Sequence, residues 1–189
     1  MDVFSNDREA PLVDVKREGI KVGIINGLIA LALMYGSYSM GMDVFINQQY
    51  LNTFLPYMII VLLIAGFRLR KKNGGYLSFK EAMQFTFLSY VIAAILIAIG
   101  TYILYNLIDK DLTEKSFALG IEKTRGVMER LGASDDEIEK TLGRMENEKT
   151  ETGFKTILLG TGLGLIWDFV KSLLITLIIR KEKPAFLQQ

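Results

Sequence analysis

The chain predicts an all-α integral membrane protein: an antiparallel four-helix transmembrane bundle with an extracytoplasmic amphipathic helical hairpin between spans three and four. Three observations carry that expectation. Four apolar stretches occupy residues 19–40, 51–67, 79–108 and 156–179. A bilayer core about 30 Å thick needs on the order of 20 apolar residues at about 1.5 Å each, and three of the stretches are that long. The second sits at the lower limit. A short, strongly basic turn then separates stretches two and three, and a long charged segment, 109–155, separates three and four.

Composition narrows the chemistry. At 189 residues there is room for one membrane domain and a small extramembrane element, not for a separate catalytic domain. Half the residues are hydrophobic and the net charge is +1, without the basic surplus expected of a nucleic-acid binder. Cysteine is absent, which excludes disulfides, a thiolate nucleophile and Cys-ligated metal. Histidine is absent as well, removing the commonest general base and metal ligand. An enzyme, a cofactor or a metal centre is therefore not expected. Residues 1–18 are polar and acid-rich (Asp2, Asp7, Glu9, Asp14, Glu18), unlike the basic start of a cleaved signal peptide, so the first helix is expected to be retained.

Lys and Arg near span ends set orientation. Arg68, Arg70, Lys71, Lys72 and Lys80 crowd the turn between spans two and three; Arg180, Lys181 and Lys183 follow span four, and Lys16, Arg17 and Lys21 flank the start of span one. The connection 41–52 has no basic residue. Tails 1–18 and 180–189 are thus placed in the cytoplasm. Segment 109–155 then faces outward, its nine basic residues diluted among twelve acids. Tyr35, Tyr38, Tyr50, Tyr102 and Tyr105 gather toward the outer interface, where amphipathic rings sit. Trp167 lies mid-span and is read as a packing residue.

Asn73-Gly74-Gly75 marks a tight turn, and Ser78 with Glu81 forms a capping box that opens span three. Arg68, Arg70, Lys71 and Lys72 are candidate contacts for anionic lipid headgroups, at about 1 kcal/mol per basic residue near the surface, or else plain topology determinants. The run Gly74-Gly75-Tyr76-Leu77-Ser78-Phe79-Lys80-Glu81-Ala82 resembles the signature turn of uncharacterised four-span bacterial membrane proteins, domain-of-unknown-function family 4199. The order of parts is similar over nearly the whole chain, and Leu131 to Glu139 resembles the family's acidic helix start. Lys110, after Asp109, stands where the family pattern has proline. The resemblance implies architecture and a bacterial inner membrane, and no activity.

In the charged segment, Phe117, Ile121, Thr124, Met128 and Leu131 make one helical stripe, which Gly132 ends. Ser134 and Glu137 form a second capping box, followed by a shorter stripe of Ile138, Leu142 and Met145 on a helix reaching about Lys149. Two such helices form a hairpin whose stripes either pack together as a cap or dock a partner.

Span four carries Asp168 and Lys171 on one face, with Gly160, Gly164 and Ser172. Each charge costs about 2.5–3.5 kcal/mol at mid-helix, against roughly −0.3 to −0.6 for each apolar residue, so the sum for this span is near cancellation. The two charges are expected to pair and turn inward. Asn26 and Ser89 fall in the same layer, and Gly19, Gly23 and Gly27 line span one. The cluster Asp168, Lys171, Asn26 and Ser89 is either a pair holding the bundle, with Lys171 stretching to the inner interface, or a proton- or solute-coupled site. The leading expectation is a non-enzymatic scaffold or accessory subunit. A small oligomeric transporter or channel using Asp168 and Lys171 is the alternative. The partners expected are the lipid bilayer and a membrane or periplasmic protein or a second copy, with no nucleic acid.

Overall fold

A computed structural model of the chain describes residues 13–54, 57–147 and 152–184. Most of the N-terminal tail, residues 55–56 and 148–151 and the last five residues lie outside the described residues, as does the Tyr50 side chain; the helix end expected near Lys149 falls among them. The elements are α1 (Val15–Ser39), α2 (Met42–Phe54), α3 (Tyr57–Lys72), α4 (Phe79–Ile103), α5 (Leu112–Arg130), α6 (Asp135–Asn147) and α7 (Phe154–Ile179). A π-helical turn, Leu104–Ile108, prolongs α4. Three helices, Val15–Ser39, Phe79–Ile108 and Phe154–Ile179, are long and apolar enough to cross a membrane. α3, at 16 residues, reaches about 24 Å. The chain divides into two compact units, one of residues 1–28, 56–96 and 163–189 and one of residues 29–55 and 97–162.

In the first unit α1 begins at Val15, earlier than the apolar pattern suggests, because Asp14 Oδ1 accepts the Arg17 amide at 3.1 Å and satisfies a free helix donor. α1 then runs parallel to α4 at close quarters. A Cβ on Gly19 would stand 3.0 Å from the Phe85 carbonyl oxygen, and one on Gly23 only 2.7 Å from that of Ser89. This is where the glycine stripe is used: backbone meets backbone. Val15, Val22, Leu62, Leu69, Phe85, Tyr90, Ile175 and Ile179 form the core from all four helices.

Arg68, Arg70, Lys71 and Lys72 are not in a loop. They form the last turns of α3, which ends only at Lys72; cations there complement the carbonyl end of a helix. Gly74 (φ +70°) and Gly75 (φ +86°) make the turn, and Ser78 caps α4: its amide donates to Glu81 Oε2 at 2.8 Å while the Glu81 amide donates to Ser78 Oγ at 3.3 Å. The C-terminal segment closes this end. Leu77 and Lys181 exchange backbone hydrogen bonds of 2.8 and 2.7 Å, and Glu182 Oε1 accepts the Phe79 amide at 2.9 Å. Arg70 donates to the Ile179 carbonyl at 3.2 Å.

In the second unit the connection 41–52 is mostly helix rather than a plain loop. Gly41 (φ +111°) breaks the chain after α1, and α2 follows because Phe45 and Ile46 are buried. The Phe45 ring lies 5.9 Å from that of Tyr38 and 6.3 Å from that of Tyr105, over Leu104 and Leu112. Tyr35 donates to the Gly100 carbonyl at 2.9 Å. Asp109 terminates the π turn and gathers Lys115 Nζ (2.9 Å), Tyr38 Oη (3.1 Å) and the Asp111 amide (3.2 Å).

α5 ends in a two-bond left-handed cap. The Gly132 amide (φ +78°) donates to the Glu129 carbonyl at 3.1 Å and that of Ala133 to Met128 at 3.0 Å. Ser134 then caps α6, its amide donating to Glu137 Oε2 at 3.0 Å. α5 packs on α6 and on α2, with Ile138 and Leu142 buried and Phe117, Ile121, Met128 and Met145 half-buried. Leu131 does not belong to the stripe. It is 81% exposed, because the left-handed turn takes the chain away from the α5–α6 contact at the capping residue.

Candidate functional site

The polar layer of the first unit rests on the antiparallel packing of α4 against α7. Its first rung is Thr86 Oγ1 and Thr176 Oγ1, 3.1 Å apart, with Thr86 also 3.4 Å from the Ser172 carbonyl oxygen. Phe87 and Phe169 meet edge to face at 5.6 Å. One turn further along α4, Tyr90 faces the charged pair: Lys171 Nζ lies 4.9 Å above its ring centre, within cation–π reach. Lys171 Nζ binds Asp168 Oδ1 at 2.6 Å.

The direction of that bond matters. Asp168 is N-terminal to Lys171, so the ammonium points back along α7, away from the nearer helix end at Ile179. This reverses the expectation that Lys171 stretches toward an interface. A carboxylate three residues back offers a closer partner than water about 13 Å down the helix. Asp168 retains 17% of its side-chain exposure and Lys171 39%, so the pair lies at the edge of the unit and not at its centre. Trp167 beside it is 71% exposed and does not pack inside the chain, contrary to the expectation of a packing residue.

Asn26 and Ser89 are both buried, but they do different things. Ser89 Oγ stands 2.7 Å from the Phe85 carbonyl and 2.9 Å from that of Gly19, so its hydrogen is used where α1 touches α4. Asn26 Oδ1 has no hydrogen-bond partner among the described residues, and neither do Tyr90 Oη and Ser172 Oγ. Tyr90, Thr86 and Thr176 escaped the sequence reading. Their signal was present: Thr86 and Tyr90 stand four apart on α4, as Ser172 and Thr176 do on α7, so each pair shares a helix face.

Outside this layer, Lys123 Nζ holds Asn47 Oδ1 at 2.6 Å and approaches Asp43 at 3.5 Å, tying α5 to α2 beside an open groove of about 640 Å³ lined by Glu122, Val127 and Arg130 among others. Among the described residues no three carboxylates gather into a metal-binding group.

Three long apolar helices and charges held within them define a membrane protein. Within that class the chain belongs to the family described as "Protein of unknown function (DUF4199)", which matches residues 21–181. No curated protein and no solved structure matches it.

Proposed function

We propose that this chain is a non-enzymatic scaffold or accessory subunit of a bacterial inner membrane, associating through α7. Four helices, α1, α3, α4 and α7, would cross the bilayer with both termini and the basic turn in the cytoplasm, and α5–α6 would lie outside as a hairpin. The basic residues that end α3 support that orientation by the positive-inside rule, and they suit anionic headgroups. The observation that carries the association is the partly exposed Lys171 side chain, which with Asp168 lies at the edge of the unit beside the exposed Trp167. A lipid-facing charge at mid-helix costs about 2.5–3.5 kcal/mol, and here it is turned away from the interface, so a neighbouring helix that covers Trp167 and Lys171 relieves the cost. Crosslinking from a photoreactive residue at position 167, followed by mass spectrometry in native membranes, tests this. A reproducible protein adduct supports it, and adducts to lipid alone overturn it.

A second reading is favoured by the buried hydroxyls beside the pair. A small oligomeric transporter would use Asp168 and Lys171 as its intramembrane site. Reconstituted protein moving protons or solute, and losing that flux on Asp168→Asn, would favour it over the scaffold.

A further inference from the structure

Three buried oxygens on three helices call for partners that the described residues do not supply. Asn26 is 1% exposed, Tyr90 2% and Ser172 fully buried, and Asn26 Oδ1, Tyr90 Oη and Ser172 Oγ have no hydrogen-bond partner among the described residues. Their helices are in register. Gly23 of α1 meets Ser89 of α4, Thr86 meets Ser172 and Thr176 of α7, and Tyr90 meets Lys171. Asn26 and Tyr90 each lie eleven residues from the first residue of their helix, about 16 Å along it, and Asp168 lies as far from the last residue of α7. The three oxygens and the ion pair therefore occupy neighbouring turns of the unit.

We propose that this layer is an internal hydration site, binding ordered water between Asn26, Tyr90 and Ser172 on the inner side of the Asp168–Lys171 pair. The proposal rests on the membrane-spanning reading, under which these atoms lie away from bulk water.

The chemistry selects water over a metal cation. Two of the groups are hydroxyls, which need an acceptor as well as a donor, and the third is an amide oxygen, which needs a donor. Water supplies both. A cation would satisfy lone pairs only, and it would sit beside the ammonium of Lys171. Left unmet in an apolar medium, each of these groups is strongly destabilising, whereas a buried water makes about three hydrogen bonds. Tyr90 lies under the Lys171 ammonium and four residues from Thr86 on one face of α4, so a water at its hydroxyl sits between the charged pair and the Thr86–Thr176 rung. Water at this point solvates both charges from within, where lipid cannot.

X-ray radiolytic footprinting of the full chain in lipid nanodiscs, read by mass spectrometry, tests the site. Hydroxyl radicals made from a bound water label the side chain next to it, however well that side chain is shielded from bulk solvent. Phe85 is the internal reference: fully buried in the same core, an aromatic ring of comparable radical reactivity. The expected result is oxidation of Tyr90 about tenfold faster than of Phe85, reduced several-fold in Ser172→Ala. The Tyr90 to Phe85 ratio needs no variant, so a poorly folding mutant does not remove the test. If neither ring is labelled, the hydration site is overturned and the bundle stands. If both are labelled alike and fast, the unit is open to bulk solvent, and the membrane-spanning reading fails with it.

Discussion

Glycine on α1 is tolerated or required according to what lies opposite. At Gly23 a methyl group would press on the Ser89 carbonyl oxygen and on Cβ of Ile92 at 2.8 Å, and backbone cannot swing aside as a side-chain tip can. Gly23→Ala is therefore expected to destabilise the protein by about 1–3 kcal/mol, the usual cost of overpacking. Gly36→Ala meets nothing within 4 Å, and it should be neutral or stabilising by up to about 1 kcal/mol through helix propensity. Thermal unfolding in detergent compares the two, and equal losses would mean that α1 does not touch α4 at Gly23. The charged pair behaves differently. Asp168→Asn alone leaves the Lys171 ammonium without its counter-ion, whereas Asp168→Asn with Lys171→Met removes both charges. The double variant should recover most of the stability lost in the single one. Similar losses in both would show that the residues do not act as a pair.

At the scale of the element, the turn between α5 and α6 depends on Gly132. Its positive φ costs a residue with a Cβ about 1–2 kcal/mol, so Gly132→Ala should speed amide exchange in α6, and Gly132→Asn should do so less. Faster exchange in neither variant would remove the left-handed cap as the hinge of this pair. The start of α5 carries a pH dependence. The Lys115 ammonium chiefly, with the Tyr38 hydroxyl and the Asp111 amide, holds the Asp109 carboxyl below its ordinary range, against burial that pushes it up. Asp109 in turn holds Lys115 above its ordinary range. A depressed carboxyl stabilises above its unfolded value, and the benefit is lost as pH falls through the folded value, below about 4. A raised lysine stabilises fully below its unfolded value of about 10.4 and loses the benefit as pH rises through the folded one. Protection of residues 109–115 from proteolysis should thus persist between these limits and fall on either side. Lys115→Met should weaken the acid limb. An unchanged profile in that variant would put the pH dependence elsewhere.

For the whole molecule, the orientation proposed above predicts that reporter fusions after Lys72 and after Arg180 read cytoplasmic and one at Gly132 reads external. A cytoplasmic signal at Gly132 would overturn the placement of α5–α6. Apolar length and helix caps were legible at this scale: both capping boxes, Ser78–Glu81 and Ser134–Glu137, form as their spacing requires, because each is closed within four residues. α2 was not legible. Its burial depends on Phe45 meeting Tyr105 and Leu104, sixty residues away, and the apolar count of 41–52 is too low to announce a helix.

Local physics can be read along a chain, and it supplied the three long apolar helices, the basic end of α3, the glycine turn and the pairing of Asp168 with Lys171 three residues away. Each depends on neighbours within a turn or on mean apolarity over a window. Tertiary structure alone decided which faces meet. It set Gly23 on the Ser89 carbonyl, Thr86 on Thr176 and Leu77 on Lys181, and it put Tyr90 under the Lys171 ammonium. It also left Asn26, Tyr90 and Ser172 each buried without a hydrogen-bond partner for one oxygen among the described residues, because register between helices is settled by side-chain packing across some seventy to ninety residues of chain, which no periodicity within one helix encodes.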